Sequence, residues 1–243
     1  MLEPLQKAGF DILALHHAEA ILLGDMPTVV DDLEAILAEL EIPIEELVRG
    51  GGGEAKLTQR LRRAFASRGW EKRTIEIRKL INGQEISSLS HEIDHVKAIG
   101  PHLIALEIEW NNKDPFFDRD LESFKRLHAD GAISVGIVVT RGESLHSSLR
   151  ELVVQFAVDR GIKSLADLDR FGYRPTARQR REVERRSSSA ARNFAQAWAG
   201  AFVADKFGES TTHWRKLSDR VSRGVGNPCP LLLIGIPKSS VIA

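Results

Sequence analysis

An apolar run, Leu103 to Leu106, leads straight into Glu107-Ile108-Glu109. In a strand, residues two apart project from the same face. Glu107 and Glu109 therefore stand side by side at the end of a buried strand. Two carboxylates that close repel unless a cation sits between them. A hard divalent ion such as Mg²⁺ meets that need, because it prefers oxygen ligands. A third acid, Asp94, lies near the end of another short strand, Ser90 to Val96.

The order Asp94, then Glu107-x-Glu109, is a variant of the D…(D/E)-x-K site of restriction-endonuclease-like nucleases, with Glu109 where lysine is usual. The flanking residues are more specific. Glu-Ile-Glu-Trp-Asn-Asn-Lys-Asp-Pro-Phe-Phe-Asp-Arg-Asp-Leu (107–121), followed by Gly-Ala-Ile-Ser-Val-Gly-Ile-Val-Val-Thr-Arg (131–141), resembles the BglII-type family of type II restriction endonucleases. The resemblance is clearest over residues 50–145.

It implies that Asp94, Glu107 and Glu109 hold the catalytic metal. Asp94 and Glu107 are the main ligands, and Ile108 between the glutamates is counted with them. Such a metal neutralises the scissile phosphate and lowers the pKa of a water, so that hydroxide attacks in line. Glu109 cannot supply the lysine's positive charge. Orienting or deprotonating the attacking water fits it, and so does binding a second metal. Glu54 follows four glycines and opens a helix. It reads either as a plain acid at the positive helix end or as an outer acid facing the site. Glu76 and Glu85 read as solvated hairpin residues.

Several residues are placed for DNA. Asn111 and Asn112 directly follow the catalytic strand, and asparagine pairs bidentately with adenine. Lys113 reads equally as a phosphate contact or a surface lysine. Arg141, Ser144, His146 and Ser147 follow the other central strand, where arginine reads guanine; Ser144 also suits a helix cap. Arg178 and Arg181 belong to a basic run, 174–186, interrupted by glutamates. That run is either a phosphate clamp or a solvated helix with i, i+4 pairs. Residues 211–214 and 220–227 offer a further polar stretch, for base contact or loop packing. The histidines show no metal spacing along the chain and read as structural.

The activity implied is Mg²⁺-dependent cleavage of both strands of a short palindromic site, with a GATC core suggested by the family. A palindrome matches a two-fold protein, so a homodimer is expected. Helices 54–67 and 118–129 are candidate interfaces. A cognate DNA methyltransferase is the expected partner besides double-stranded DNA. The rivals are another nuclease on the same core, acting in repair or nicking, and a DNA-binding module whose acids are structural.

Composition agrees. The 243 residues suit one domain, or one domain with an elaborated end; the resemblance implies a single restriction-endonuclease-like domain with the catalytic core at about 50–145 and the remainder for recognition and structural elaboration. Acidic and basic residues cancel at 34 each. That argues against a basic coat but leaves room for a local basic face. One cysteine, Cys229, excludes an internal disulfide and thiolate zinc clusters. No secretory signal and no bilayer-length apolar run is seen, so no membrane role and a cytoplasmic location are expected.

The elements that must position these residues follow from periodicity. Helices are predicted at 10–24, 28–41 and 54–67, the last after a Gly50–Gly53 break. Period two begins at Thr74, and Asn82-Gly83 signals a hairpin between 74–78 and 84–89. Strands follow around Asp94 and Glu107, then a helix at 118–129 and an apolar strand at 133–140. Helical patterns occupy 144–159, 164–170 and 174–204. Residues 210–226 read as loop, and 231–236 as a buried strand. The pattern predicts an α/β or α+β core. The resemblance narrows this to α/β, a central mixed β-sheet flanked by helices.

Overall fold

The computed structural model describes residues 1–50, 53–188 and 193–243. A six-stranded sheet runs through it, built from β1 (Asp11–Leu15), β3 (Glu71–Ile81), β4 (Gln84–Ile99), β5 (His102–Glu109), β6 (Val135–Arg141) and β7 (Leu231–Ile236). Their order is β1-β7-β6-β5-β4-β3. A separate two-stranded ribbon pairs β2 (Ile42–Pro43) with β8 (Val241–Ile242). β5, β6 and β7 are parallel, whereas β1, β4 and β3 join antiparallel. The sheet is therefore mixed and α/β, as expected. Every residue of β6 and β7 is buried, the signature of central strands covered on both faces.

The two faces carry different layers. Ile104, Leu106 and Ile108 pack with α3 (Pro27–Ala38), α5 (Lys56–Ser67), α7 (Glu143–Asp159) and α9 (Phe194–Lys206). Ala105, Val138 and Leu233 face α6 (Phe116–Ala129) and α10 (Trp214–Ser222). Glu107 and Glu109 continue the Ala105 row, so strand alternation aims both at α6. Arg220 of α10 donates to Asp118 (2.9 Å) and Asp114 (3.2 Å), which fixes the start of α6.

The hairpin forms as the Asn-Gly signal predicts. Asn82 (φ 50°) and Gly83 (φ 82°) both take the left-handed conformation that such a turn requires. Other segments differ. Residues 10–24 are not one helix: β1 pairs antiparallel with β7, and His16 and His17, both left-handed, separate it from α2 (Ala18–Gly24). Pairing with a buried strand overrides a helical period there. The strands at 84–89 and around Asp94 are one strand, β4. The 164–170 stretch is a short 3₁₀ helix, Ala166–Phe171. Residues 174–204 contain α8 (Ala177–Ser187) and α9, and 189–192 between them fall outside the described residues, as do Gly51 and Gly52 of the predicted glycine break. Residues 210–226 are not loop throughout, since α10 lies there with Leu217 and Val221 buried.

Candidate active site

Glu107 and Glu109 are 4% and 3% exposed, deep for carboxylates. α6 brings a third acid against them. Asp120 is fully buried, and its Oδ2 has no hydrogen-bond partner. β4 brings His91, whose Nδ1 lies 3.2 Å from Ser123 Oγ on α6 while Nε2 is unpartnered. Single ligand atoms of His91, Glu107 and Asp120 all lie within 4.8 Å of one another. β4 pairs His95 with Leu106, and their chain neighbours Asp94 and Glu107 lie close enough for the Asp94 charge to act on Glu107. Asp94 stays at the rim, 55% exposed and 3.8 Å from Lys72 Nζ.

Burial dominates the electrostatics. It pushes the Glu107 carboxyl up to about 9, and Asp120, Asp94 and Glu109 add repulsion that Arg119 only partly offsets. Glu109 is raised by burial and then by Asp120, against which Asn112 Nδ2 donates to its Oε2 at 2.7 Å. Asp120 is likewise raised by burial, with Arg119 opposing. The Arg119 guanidinium lies 2.8 Å from Asp120 Oδ1 and 3.6 Å from Glu109 Oε1. Three buried acids, one with an unpartnered oxygen, and the His91 imidazole with its unpartnered Nε2 form an oxygen-rich set suited to a divalent cation.

Asp94, Glu107, Glu109 and Glu54 all line one cleft of about 1140 Å³, shared with Arg119 and Asn112. Glu54 precedes α5 rather than opening it, and pairs with Arg62 at 3.1 Å. Glu76 pairs with Arg78 and Glu85 is exposed, as solvated hairpin residues should be.

A match to the family described as "Restriction endonuclease BglII/BglIII" covers residues 10–236. The chain belongs to the BglII/BglIII restriction endonuclease family. No curated protein matches the chain. As a member of this family, the protein is a type II site-specific deoxyribonuclease of a restriction system, and DNA is its substrate. Among the described residues, no helix is long and apolar enough to cross a membrane.

In this endonuclease the residues expected to touch DNA occupy varied places. Asn111 Nδ2 donates to the Lys206 carbonyl at 3.1 Å, and Asn112 braces Glu109. Lys113 is exposed and bridges Thr211. Arg141 is fully buried: its Nε and Nη2 donate to the Thr212 carbonyl at 3.2 and 2.6 Å, and burial pulls its pKa down to about 9. In this conformation it ties two segments together instead of presenting its guanidinium to a base. Ser144 does not cap α7. Gly142 holds the cap position, Asp11 Oδ2 accepts from the Glu143 N–H at 2.8 Å, and Ser144 Oγ accepts from Lys238 N. Ser147 Oγ donates to the Glu143 carbonyl. His146 stacks on His213. Arg178 and Arg181 are exposed on α8, without an ion-pair partner among the described residues, while Arg185 and Arg186 engage Glu182.

Sequence reasoning missed Asp120, His91 and Arg119. Asp120 had a signal, because it lies in the stripe Phe117, Leu121, Phe124, Leu127 that α6 buries. An acid inside an apolar stripe needs a partner.

Proposed function

We propose that the chain is a Mg²⁺-dependent homodimer that cuts both strands of a short palindromic DNA site, each subunit cutting one strand. The observation that supports this is the buried pair Glu107 and Glu109 lining an open cleft with Asp94 at its rim, and Asp120 buried behind them. Glu107 and Asp94 would hold the ion, with the Ile108 carbonyl contributing from the main chain and Asp120 and His91 completing the set. Bound there, Mg²⁺ would supply charge neutralisation at the scissile phosphate and acidify a water. Glu109, raised by burial and oriented by Asn112, is suited to accept a proton from the attacking water. Arg119 offers the positive charge that lysine supplies in related sites, reaching the cleft from α6 instead of β5. Glu54 would act from the outer rim. Asn111, Lys113, Ser144 and Ser147 would lie along the DNA face, together with Arg178 and Arg181. Residues 1–243 would work as one domain. A cytoplasmic location and a methyltransferase that protects the same site complete the reading.

Digestion of a large sequenced phage DNA in Mg²⁺ tests it, with chelator and Glu107→Ala as controls and light scattering for subunit number. Expected are discrete fragments sharing one palindrome, with GATC-containing sites examined first, and a dimer. Nicks or a smear would remove the palindromic dimer. Cleavage that survives Glu107→Ala would remove the metal site.

A further inference from the structure

A second cluster lies outside the catalytic carboxylates. His146 comes from the first turn of α7, His213 from the start of α10, and Glu209 from the segment between α9 and α10. The two imidazoles stack with centroids 3.8 Å apart and planes 6° apart. Nε2 of His146 lies 3.9 Å from Glu209 Oε1, and Nε2 of His213 lies 3.9 Å from Oε2. One ligand atom from each residue falls within 4.8 Å of the others.

The polar accounting is what makes this a site. The His213 side chain is fully buried, and neither of its ring nitrogens has a hydrogen-bond partner. His146 Nδ1 is also buried and unpartnered. Leaving such atoms bare in the interior costs free energy. A protonated imidazole does not resolve the cost, because burial disfavours charge on both rings. Neutral imidazoles keep a lone pair, and a metal ion is a partner that two lone pairs and a carboxylate can share once the stacked rings, whose lone pairs lie in parallel planes, turn toward it. Arg215 Nη2 donates to Glu209 Oε2 at 2.5 Å, which leaves Oε1 open beside His146, and Arg141 commits Nε and Nη2 to Thr212 while its Nη1 stays buried without a partner. Neither lies within the trio itself.

We propose that His146, His213 and Glu209 bind one transition-metal ion, of the Zn²⁺ class, separate from the catalytic Mg²⁺. Two imidazoles with one carboxylate select zinc over magnesium. The ion fastens residues 209–213 to α7. That segment is bonded to the loop after β5: Asp114 N donates to the Ser210 carbonyl at 2.9 Å, Thr212 N to the Asn112 carbonyl at 2.9 Å, and Asn112 N to Thr212 Oγ1 at 3.0 Å. Asn112 in turn holds Glu109. The ion would thus steady the catalytic strand end from behind.

The test is Zn²⁺ titration of chelator-treated protein against a chromophoric chelator, with thermal melting and the visible spectrum of the Co²⁺ form. One tight equivalent per chain is expected, retained in Glu107→Ala, with Zn²⁺ raising Tm. Glu209→Gln, at an exposed position that the fold tolerates, should weaken binding at least tenfold, and His146→Gln should abolish the Tm rise. Zinc lost in Glu107→Ala but kept in Glu209→Gln and His146→Gln would assign the metal to the catalytic acids and overturn the proposal. No tight equivalent in the wild-type chain would overturn it too.

Discussion

Glu107 shows how one side chain can couple folding to the site's chemistry. Its ordinary value of 4.5 is lifted to about 9 in the folded chain. The metal-free native state therefore holds a proton that the unfolded chain releases. Stability is fully present below the unfolded value and is lost as pH rises from about 4.5 towards 9. Glu107→Gln removes the ionisable group and should raise the Tm of metal-free protein at pH 8 by several degrees, with little change at pH 4.5. Mg²⁺ should recover stability at pH 8 in the wild type only, which thermal melting with and without the ion measures. Equal melting of the two proteins at pH 8 would mean that the carboxyl is not held protonated. The pairing of Glu107 with Glu109 was legible from two-residue spacing. Their burial against Asp120 was not, because α6 must fold back onto the sheet first.

α6 is the element on which the site depends, and a glycine sets its distance from the sheet. A Cβ at Gly136 of β6 would run into the ring of Phe124. Gly136→Ala should therefore cost ~1–3 kcal/mol from overpacking and push Arg119 and Asp120 away from β5. Lower Tm in denaturation and slower cleavage at saturating Mg²⁺ are expected together. An unchanged cleavage rate would show that Asp120 does not contribute. The helix itself was predicted at 118–129, because its apolar stripe is regular. β1 was not, because its helical spacing competes with edge pairing to β7. α10 was missed although Trp214, Leu217 and Val221 recur at helical spacing, since polar residues separate them.

Across the whole molecule, acidic and basic counts cancel, so DNA affinity must come from local groups. Arg178 and Arg181 on α8 are exposed, and their near neighbours already hold ion pairs. Replacing both with alanine should weaken binding uniformly across DNA sequences. It should also flatten the plot of log affinity against log salt by about 1 for each phosphate that is no longer neutralised. Fluorescence anisotropy at several salt concentrations reads both effects. An unaltered slope would make α8 a solvated face.

The sequence alone determined what depends on near neighbours. The two-residue period set Glu107 and Glu109 on one face, Asn82-Gly83 set the hairpin, and unbroken apolarity marked β6 and β7 as buried strands. The tertiary structure decided what depends on distant segments meeting. It placed Asp120 and His91 beside Glu107, turned Arg141 inward onto Thr212, and stacked His146 on His213. Backbone periodicity acts over a few residues, whereas these contacts arise only when helices from separate parts of the chain close on the sheet.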